Sequence, residues 1–376
     1  MAIVIGVALA ACADATSPPR EPFNPGDPPL PTDLVTAEIR PFRIQTFEGS
    51  GETVHPDIAV VPQWWRGSSW RLVATPYPNG DAQYENPSEY IGESWTEWEI
   101  PQGLTNPVVK PKQGYLSDPD QLYNPATDEL WMYYRQVMRG NLIWLVTSKN
   151  GVRWSLPREV LRAPNHQIVS PSIVRVNDST WYMWSINAGA PGCAAKHTIV
   201  ERRRSTDGMT WSAPEPVTLD TPPGVWPWHI DVEWVPAASQ YWAAFNVKDS
   251  VGCVTGELEF ATSTDGITWT VAPSPLITRH AIPDFADIVY RASFVYHPTT
   301  DFVTFWYSGA RYDQDSSRYV WHTAIQRIPR EALMARVNQP RRAPFAARAG
   351  DTQPTDGQPT RGVHRPLPPL TNETAP

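Results

Sequence analysis

The chain has 376 residues, among them 41 Pro, 22 Gly and 18 Trp, and 31 Lys and Arg face 39 Asp and Glu for a formal net charge of −8. Proline at that density excludes long helices and coiled coils, because each interior Pro removes a helix hydrogen bond, while this many Trp excludes a wholly disordered chain. The acidic balance, with no basic run longer than Arg202-Arg203-Arg204, argues against nucleic acid as a partner, and beyond the amino terminus no apolar run approaches the roughly 20 residues of a membrane span.

Residues 2–11 form a short apolar stretch that ends in Leu9-Ala10-Ala11-Cys12. Small residues after an apolar core are what export machinery reads, and the segment 1–12 resembles a bacterial lipoprotein signal. That resemblance implies cleavage before Cys12, a lipid on its thiol, and localisation in the cell envelope with a membrane contact through the anchor. Residues 13–34, rich in Pro, Asp, Asn and Ser, have the composition of a linker that buries too little surface to order itself. Residues 35–345 carry a periodic pattern, and 346–376, rich in Pro, Thr, Gln and Gly, read as a disordered tail. With Cys12 lipidated, Cys193 and Cys253 remain as a pair in Gly-containing loops. An exported compartment preserves disulfides, so a Cys193–Cys253 bridge is expected, with two unpaired loop thiols as the alternative.

The pattern is a repeat. Ser148-Lys149-Asn150-Gly151-Val152-Arg153-Trp154, Ser205-Thr206-Asp207-Gly208-Met209-Thr210-Trp211 and Ser263-Thr264-Asp265-Gly266-Ile267-Thr268-Trp269 are one motif, and with a degenerate copy ending at Trp98 the Trp residues lie 56, 57 and 58 apart. Asn-Gly or Asp-Gly supplies the positive φ of a tight turn, the Ser and Asp oxygens bind turn amides, and the Trp packs the hairpin on its neighbour. Ahead of each copy lie two β-rich runs, the second aromatic and apolar, as in Leu130-Trp131-Met132-Tyr133-Tyr134 and Tyr241-Trp242-Ala243-Ala244-Phe245. A third strand leads into the turn and a fourth follows it. Five such units predict an all-β, five-bladed β-propeller. The fifth unit lacks a turn motif and a fourth strand, so the segment 37–44 is expected to complete it, ahead of a short helix over 330–337.

In a propeller the innermost strands start at one mouth of the central channel, and the loops between second and third strands return to that mouth. The first strands open with His55 and Asp57, Asp118 and Asp120, Ser170 and Ser172, His229 and Asp231, and Arg291 and Ser293, polar pairs at i and i+2 that share one side of a regular strand. Packing alone would place apolar residues there. The returning loops and strand approaches add Tyr77, Tyr84, Glu85, Asn86, Arg135, Gln136, Asn187, Asn246, Lys248, Arg311, Asp313, Trp226, Trp228, Asp284 and Asp287. Carboxylates for proton transfer, amides and Arg for hydroxyls, and aromatic faces for sugar rings make a carbohydrate-type inventory. For each residue singly, the alternative is an ordinary turn cap at a strand start.

The five-blade order, the Asp118-Pro119-Asp120 opening and the Ser-x-Asp-Gly-x-x-Trp turns resemble the five-bladed propeller glycosidases, the group of arabinanases and xylosidases, invertases and levanases, and mannoside phosphorylases. His55-Pro56-Asp57, Thr75-Pro76-Tyr77-Pro78 with Glu85-Asn86-Pro87, Ser117-Asp118-Pro119-Asp120, His229-Ile230-Asp231-Val232 and Tyr290-Arg291-Ala292-Ser293 further resemble a bacterial and phage-associated propeller family of presumed glycan-active proteins. The arabinanase pattern has a catalytic Asp opening blade one where this chain has His55, and Asp118 alone matches a ring carboxylate of that pattern directly. The resemblance implies a secreted, membrane-tethered glycoside hydrolase with a poly- or oligosaccharide as substrate, one carboxylate protonating the leaving oxygen and another activating water. Asp118 is the expected base or pKa-setting partner. Asp231 and Glu85 compete as the acid, and Asp57 and Asp120 are further candidates. His55, His229, Arg291, Arg135, Tyr77, Tyr84, Trp226, Trp228 and Asn246 are the expected substrate contacts. A mannoside-phosphorylase-like enzyme, with phosphate cradled by Arg291, His55, His229, Arg135 and Lys248, and a non-catalytic glycan-binding propeller are the alternatives. No cofactor or metal is expected, since channel His residues more often hydrogen-bond than ligate; a metal on His55, His229 and Asp118 is the remaining reading.

Overall fold

Each Ser-x-Asp/Asn-Gly turn is closed by its own side chains. Ser205 Oγ accepts from the amides of Asp207 and Gly208, Asp207 Oδ1 accepts from Met209 and Thr210 at 2.7 and 2.8 Å, and Ser148/Asn150 and Ser263/Asp265 repeat the arrangement. The glycine is required twice over: Gly208 has φ 71°, and a Cβ there would lie 2.8 Å from the hydroxyl of Tyr133 on the preceding repeat. The turn is bonded to that neighbour as well. Gly208 C=O accepts from Tyr133 Oη at 2.8 Å, and Gly266 C=O accepts from Trp184 Nε1 at 2.9 Å.

The computed structural model describes residues 40–338 apart from 63–64, 66–69, 93–94, 139, 222, 249–254 and 280–286. Its strands form five antiparallel blades. Blade one is Thr53–Val60, Trp70–Pro76, Ser88–Gly92 and Trp98–Glu99. Blade two is Tyr115–Asn124, Glu129–Val137, Asn141–Ser148 and Arg158–Ala163. Blade three is Val169–Asn177, Thr180–Asn187, Ile199–Ser205 and Glu215–Pro216. Blade four is Trp226–Val235, Gln240–Lys248, Glu257–Ser263 and Thr268–Val271, widened by Ile277–Thr278 and by Thr218–Leu219, which pairs in parallel with Thr268–Val271. Blade five is Ile288–His297, Phe302–Asp313 and Arg318–Pro329.

The fourth strand of blade five is Arg40–Phe42, antiparallel to Arg318–Pro329 with Arg40 opposite Ile325 and Phe42 opposite Thr323. The amino-terminal segment therefore closes the propeller. Three residues pair, fewer than the eight expected over 37–44, of which 37–39 lie outside the described residues. Pro41 sits in this strand at the blade's outer edge, where a missing N–H costs no ladder bond. The chain leaves blade five in the helix Arg330–Val337, whose Leu333 and Val337 pack into the seam between blades four and five.

The core is divided among the seams between blades rather than gathered at the centre. Trp131, Tyr133, Ile173, Trp181 and Met183 fill the seam between blades two and three; Trp70, Trp95, Trp306 and Ile325 fill the closing seam between five and one. Apolar area is buried there at about 25 cal/mol per Å². The channel is left to polar side chains.

Candidate functional site

The channel is shaped by five strand irregularities. Every innermost strand shifts register against its partner, between Val54 and Asp57, Ser117 and Asp120, Val169 and Ser172, Pro227 and His229, and Val289 and Ala292. In blades one to three the shift contains Pro56, Pro119 or Pro171, and a bulge is where an interior strand tolerates a residue with no N–H. The preceding residue takes positive φ, 53° at His55, 48° at Asp118 and 52° at Ser170, a left-handed conformation that strains L side chains. In these three blades the bulge also falls between the two polar residues and breaks their alternation, whereas in blade four it precedes His229 and the register runs unbroken to Asp231. The polar residues expected at the mouth lie in two layers.

The lower layer is structural. Asp57 Oδ2 accepts from Gln121 N of blade two at 2.6 Å, Asp120 Oδ2 from Ile173 N of blade three at 3.1 Å, and Ser172 Oγ from Val232 N of blade four at 2.9 Å. Asp231 Oδ2 accepts from Phe294 N of blade five at 3.1 Å, and Ser293 Oγ from Ile58 N of blade one at 3.1 Å. Five side chains thus pin each blade to the next in a closed circuit. Carboxylate oxygens of Asp57, Asp120 and Asp231 lie within 4.8 Å of one another. Burial, reinforced by Asp231, pushes Asp57 up to about 7; burial, opposed by Arg291, pushes Asp231 up to about 6; and burial with both neighbours raises Asp120 well above the usual range. Below this layer a cavity of about 340 Å³, lined also by Glu233, Arg175, Tyr123 and Trp234, opens where the innermost strands end. Asp57, Asp120 and Asp231 therefore lie beneath the mouth layer, each with one oxygen committed to a backbone amide.

The upper layer has the chemistry. Asp118, 0% exposed, receives Arg135 Nε on Oδ2 at 2.9 Å, while His55 Nε2, His229 Nδ1 and Arg291 Nη1 lie 3.3, 3.6 and 3.9 Å from Oδ1. Arg135 is steadied by Ser117 Oγ at 3.1 Å. Burial works against the charge of Asp118, yet Arg135, His55, His229 and Arg291 together hold its carboxyl well below the usual range. Burial is the largest influence on both imidazoles. It pushes His55 down to about 3 and His229 well below 6.5, so both are neutral at physiological pH. Tyr290 walls the pair, its ring centroid 4.4 Å from that of His229 and 5.4 Å from that of His55.

Two neutral imidazoles and one ionised carboxylate are the deprotonated donor set of a divalent cation, and single atoms of His55, Asp118 and His229 lie within 4.8 Å of one another. The contacts among them are not hydrogen bonds. Asp118 Oδ1 and both ring nitrogens of His229 have no hydrogen-bond partner among the described residues, although all are buried. Orphaned buried polar atoms converging on one point fit a cation better than the hydrogen-bonded channel His residues expected from the sequence.

Other expected site residues divide by their surroundings. Glu85 sits over His55, Oε2 to Nδ1 3.7 Å, and its carbonyl accepts from Leu116 N at 3.0 Å, tying the blade-one loop to the start of blade two. Tyr84 is 40% exposed at the rim, Tyr77 packs edge-on against Trp321 at 5.2 Å, and Trp226 packs edge-on against His197 at 4.8 Å. Trp228 and Asn246 are buried beside His229: Trp228 stands edge-on to its ring at 6.0 Å with Lys248 Nζ 4.5 Å over the indole, and Asn246, opposite His229 on the next strand, donates from Nδ2 to Val289 C=O at 3.2 Å. Lys248 Nζ also donates to the carbonyls of Cys193 and Ala195 at 3.2 and 3.0 Å, which holds that loop. Cys193 is disulfide-bonded; Cys253, Cys12 and Asp284 lie outside the described residues. Asn187, Asp287 and Asp313 accept backbone amides of nearby turns and strands. Sequence reasoning missed Thr75 and Tyr290 as individual site residues. Both fall inside motifs quoted for the family resemblance, but nothing in residue type or spacing marks them.

Five blades around a polar channel, each innermost strand bulged at the mouth, define the chain's class as a five-bladed propeller of the architecture found among carbohydrate enzymes. No family model matches the chain. An A type blood N-acetyl-α-D-galactosamine deacetylase of Flavonifractor plautii is 28% identical over 338 residues, covering 76% of this chain and 41% of that protein, so the chain spans less than half the length of this relative. The crystal structure of an N-acetylgalactosamine deacetylase from F. plautii, in complex with blood group B trisaccharide, superposes with a TM-score of 0.70 at 23% identity, covering 77% of this chain and 95% of the other. An α-L-arabinofuranosidase from Podospora anserina shares the fold at a TM-score of 0.55 and 11% identity, with 77% and 96% covered.

Proposed function

We propose that the channel mouth is the hydrolytic centre of a carbohydrate-active enzyme that removes the N-acetyl group of an amino sugar, with a divalent cation held by His55, Asp118 and His229. The observation that carries the reading is the convergence of two neutral imidazoles and an ionised carboxylate with no hydrogen bond among them. The F. plautii relative supports the substrate class. A cation bound there supplies Lewis-acid polarisation of the acetamido carbonyl and a water of lowered pKa.

The chain's own residues do the rest. Arg135 keeps Asp118 ionised, and burial keeps the imidazoles unprotonated, so all three donors stay available across the physiological range. Glu85, against His55 at the mouth, is placed to take a proton from water and return it to the departing amine, so that amide and water become acetate and the protonated amine. Tyr84 and Trp226 offer rim faces for sugar rings. Export with a lipid on Cys12 belongs to the same proposal, supported by Leu9-Ala10-Ala11-Cys12 and tested by labelled fatty acid that disappears in Cys12→Ala.

Purified protein is incubated with an N-acetylgalactosaminide and with oligosaccharide panels, and acetate, free amine and reducing ends are assayed separately. Acetate and amine in equal amounts, abolished by chelator and by His229→Ala, are expected. Reducing ends without acetate would return the assignment to the O-glycosidase implied by the sequence resemblance. Saturable binding with no product would make the chain a glycan-binding propeller.

A further inference from the structure

We propose that Thr75 is a positioning residue that fixes the His55 tautomer so that Nε2 presents its lone pair to a cation at the channel mouth. The inference rests on the cation reading above. Thr75 is 0% exposed on the second strand of blade one, directly opposite Val54. Its hydroxyl donates to Val54 C=O at 3.2 Å, and its oxygen lies 3.1 Å from His55 Nδ1.

A threonine has one hydroxyl hydrogen, and of its two neighbours the Val54 carbonyl can only accept whereas Nδ1 can donate or accept. Both contacts are hydrogen bonds only when the hydroxyl donates to Val54 and Nδ1 carries the ring proton. Glu85 Oε2, 3.7 Å from the same nitrogen, favours the proton there too. In a neutral ring that leaves Nε2 as a bare lone pair, 3.3 Å from an anionic oxygen of Asp118 that accepts no hydrogen bond from the described residues. Two electron-rich atoms face each other across a gap in which a cation satisfies both. The opposite tautomer would point Nε2–H at Asp118 Oδ1 and fill the position with a proton. Thr75 selects between these outcomes without touching the cation, as hydrogen-bond partners of ligating imidazoles do.

The full-length protein is stripped with chelator, and Zn²⁺ affinity is measured by titration calorimetry for the parent, Thr75→Val and Thr75→Ser. Val matches the shape without the hydroxyl, while Ser keeps the hydroxyl. Thr75→Val should bind Zn²⁺ about 10–100-fold more weakly, with Thr75→Ser within a few-fold of the parent. ¹⁵N NMR of the stripped parent should show the His55 proton on Nδ1, a readout that survives even if Thr75→Val does not fold. Parent-like Zn²⁺ affinity in Thr75→Val, or a proton on Nε2, would overturn the positioning role and leave the cation site standing. A parent that binds no Zn²⁺, like a His229→Ala control, would overturn both.

Discussion

Asp118 lies among two guanidinium groups and two imidazoles with no exposed surface, and that setting changes what its substitution does. Read as a lone channel carboxylate, it could become Asn with little effect on folding. In the structure Arg135 and Arg291 would keep their charges in a buried site from which the balancing anion had gone, and breaking such a pair costs about 3–5 kcal/mol. Urea denaturation of Asp118→Asn should show a loss of that order, with acetate release falling at least about 100-fold because a cation donor is lost. Adding Arg135→Met should recover part of the stability and none of the activity. A variant that keeps both stability and activity would mean that Asp118 carries neither charge balance nor chemistry.

The turns and bulges make the contrast in legibility clearest. Ser-x-Asp/Asn-Gly-x-x-Trp was readable because every part acts locally: hydroxyl and carboxylate bind amides two or three residues away, and Gly takes the positive φ. Those turns imply a graded outcome. Asp207→Asn should be nearly neutral, since Asn150 does the same task in blade two; Asp207→Ala should cost about 1 kcal/mol. Gly208→Ala should cost about 2 kcal/mol or more, combining strain at φ 71° with a Cβ thrust against Tyr133. Thermal midpoints of the three variants should fall in that order, with activity per folded molecule unchanged. The bulges were less legible. Pro56, Pro119 and Pro171 inside strand patterns are the signal, but the consequence, separation of His55 and Asp118 from Asp57 and Asp120, depends on pairing with a second strand. The burial of Trp228 and Asn246 was hidden for the same reason: strand position is visible in the sequence, and the neighbouring elements that cover the side chain are not.

For the whole molecule the lower carboxylate layer sets the response to pH. The carboxyls of Asp57, raised to about 7, and Asp231, raised to about 6, bind protons more tightly folded than unfolded. Their contribution is therefore fully present below about pH 4 and is lost as pH rises to about 7. Asp118, depressed by its cations, and His55 and His229, depressed by burial, have the opposite sign and lose their contributions in acid. Stability of the chelator-treated protein should peak in mildly acidic solution and decline toward pH 7. Asp57→Asn, which keeps an acceptor for Gln121 N, should be more stable than the parent at pH 8 and respond less to pH between about 5 and 8. A parent that grows steadily more stable up to pH 8 would contradict the shared burial of these groups.

The circuit of pins from Asp57 through Asp120, Ser172 and Asp231 to Ser293 runs one way round the channel, each blade accepting from the next, and it has no first member. Chain order is therefore irrelevant to it. Linking the strand Arg40–Phe42 to the helix Arg330–Val337 and cutting the backbone in the turn between blades two and three would keep all five contacts, moving only the place where the ring of blades is fastened. No blade, in turn, can swing away without breaking a contact on each side. The molecule should consequently lose its blades together in a single transition, unlike a linear array of repeats, which can fray from its ends.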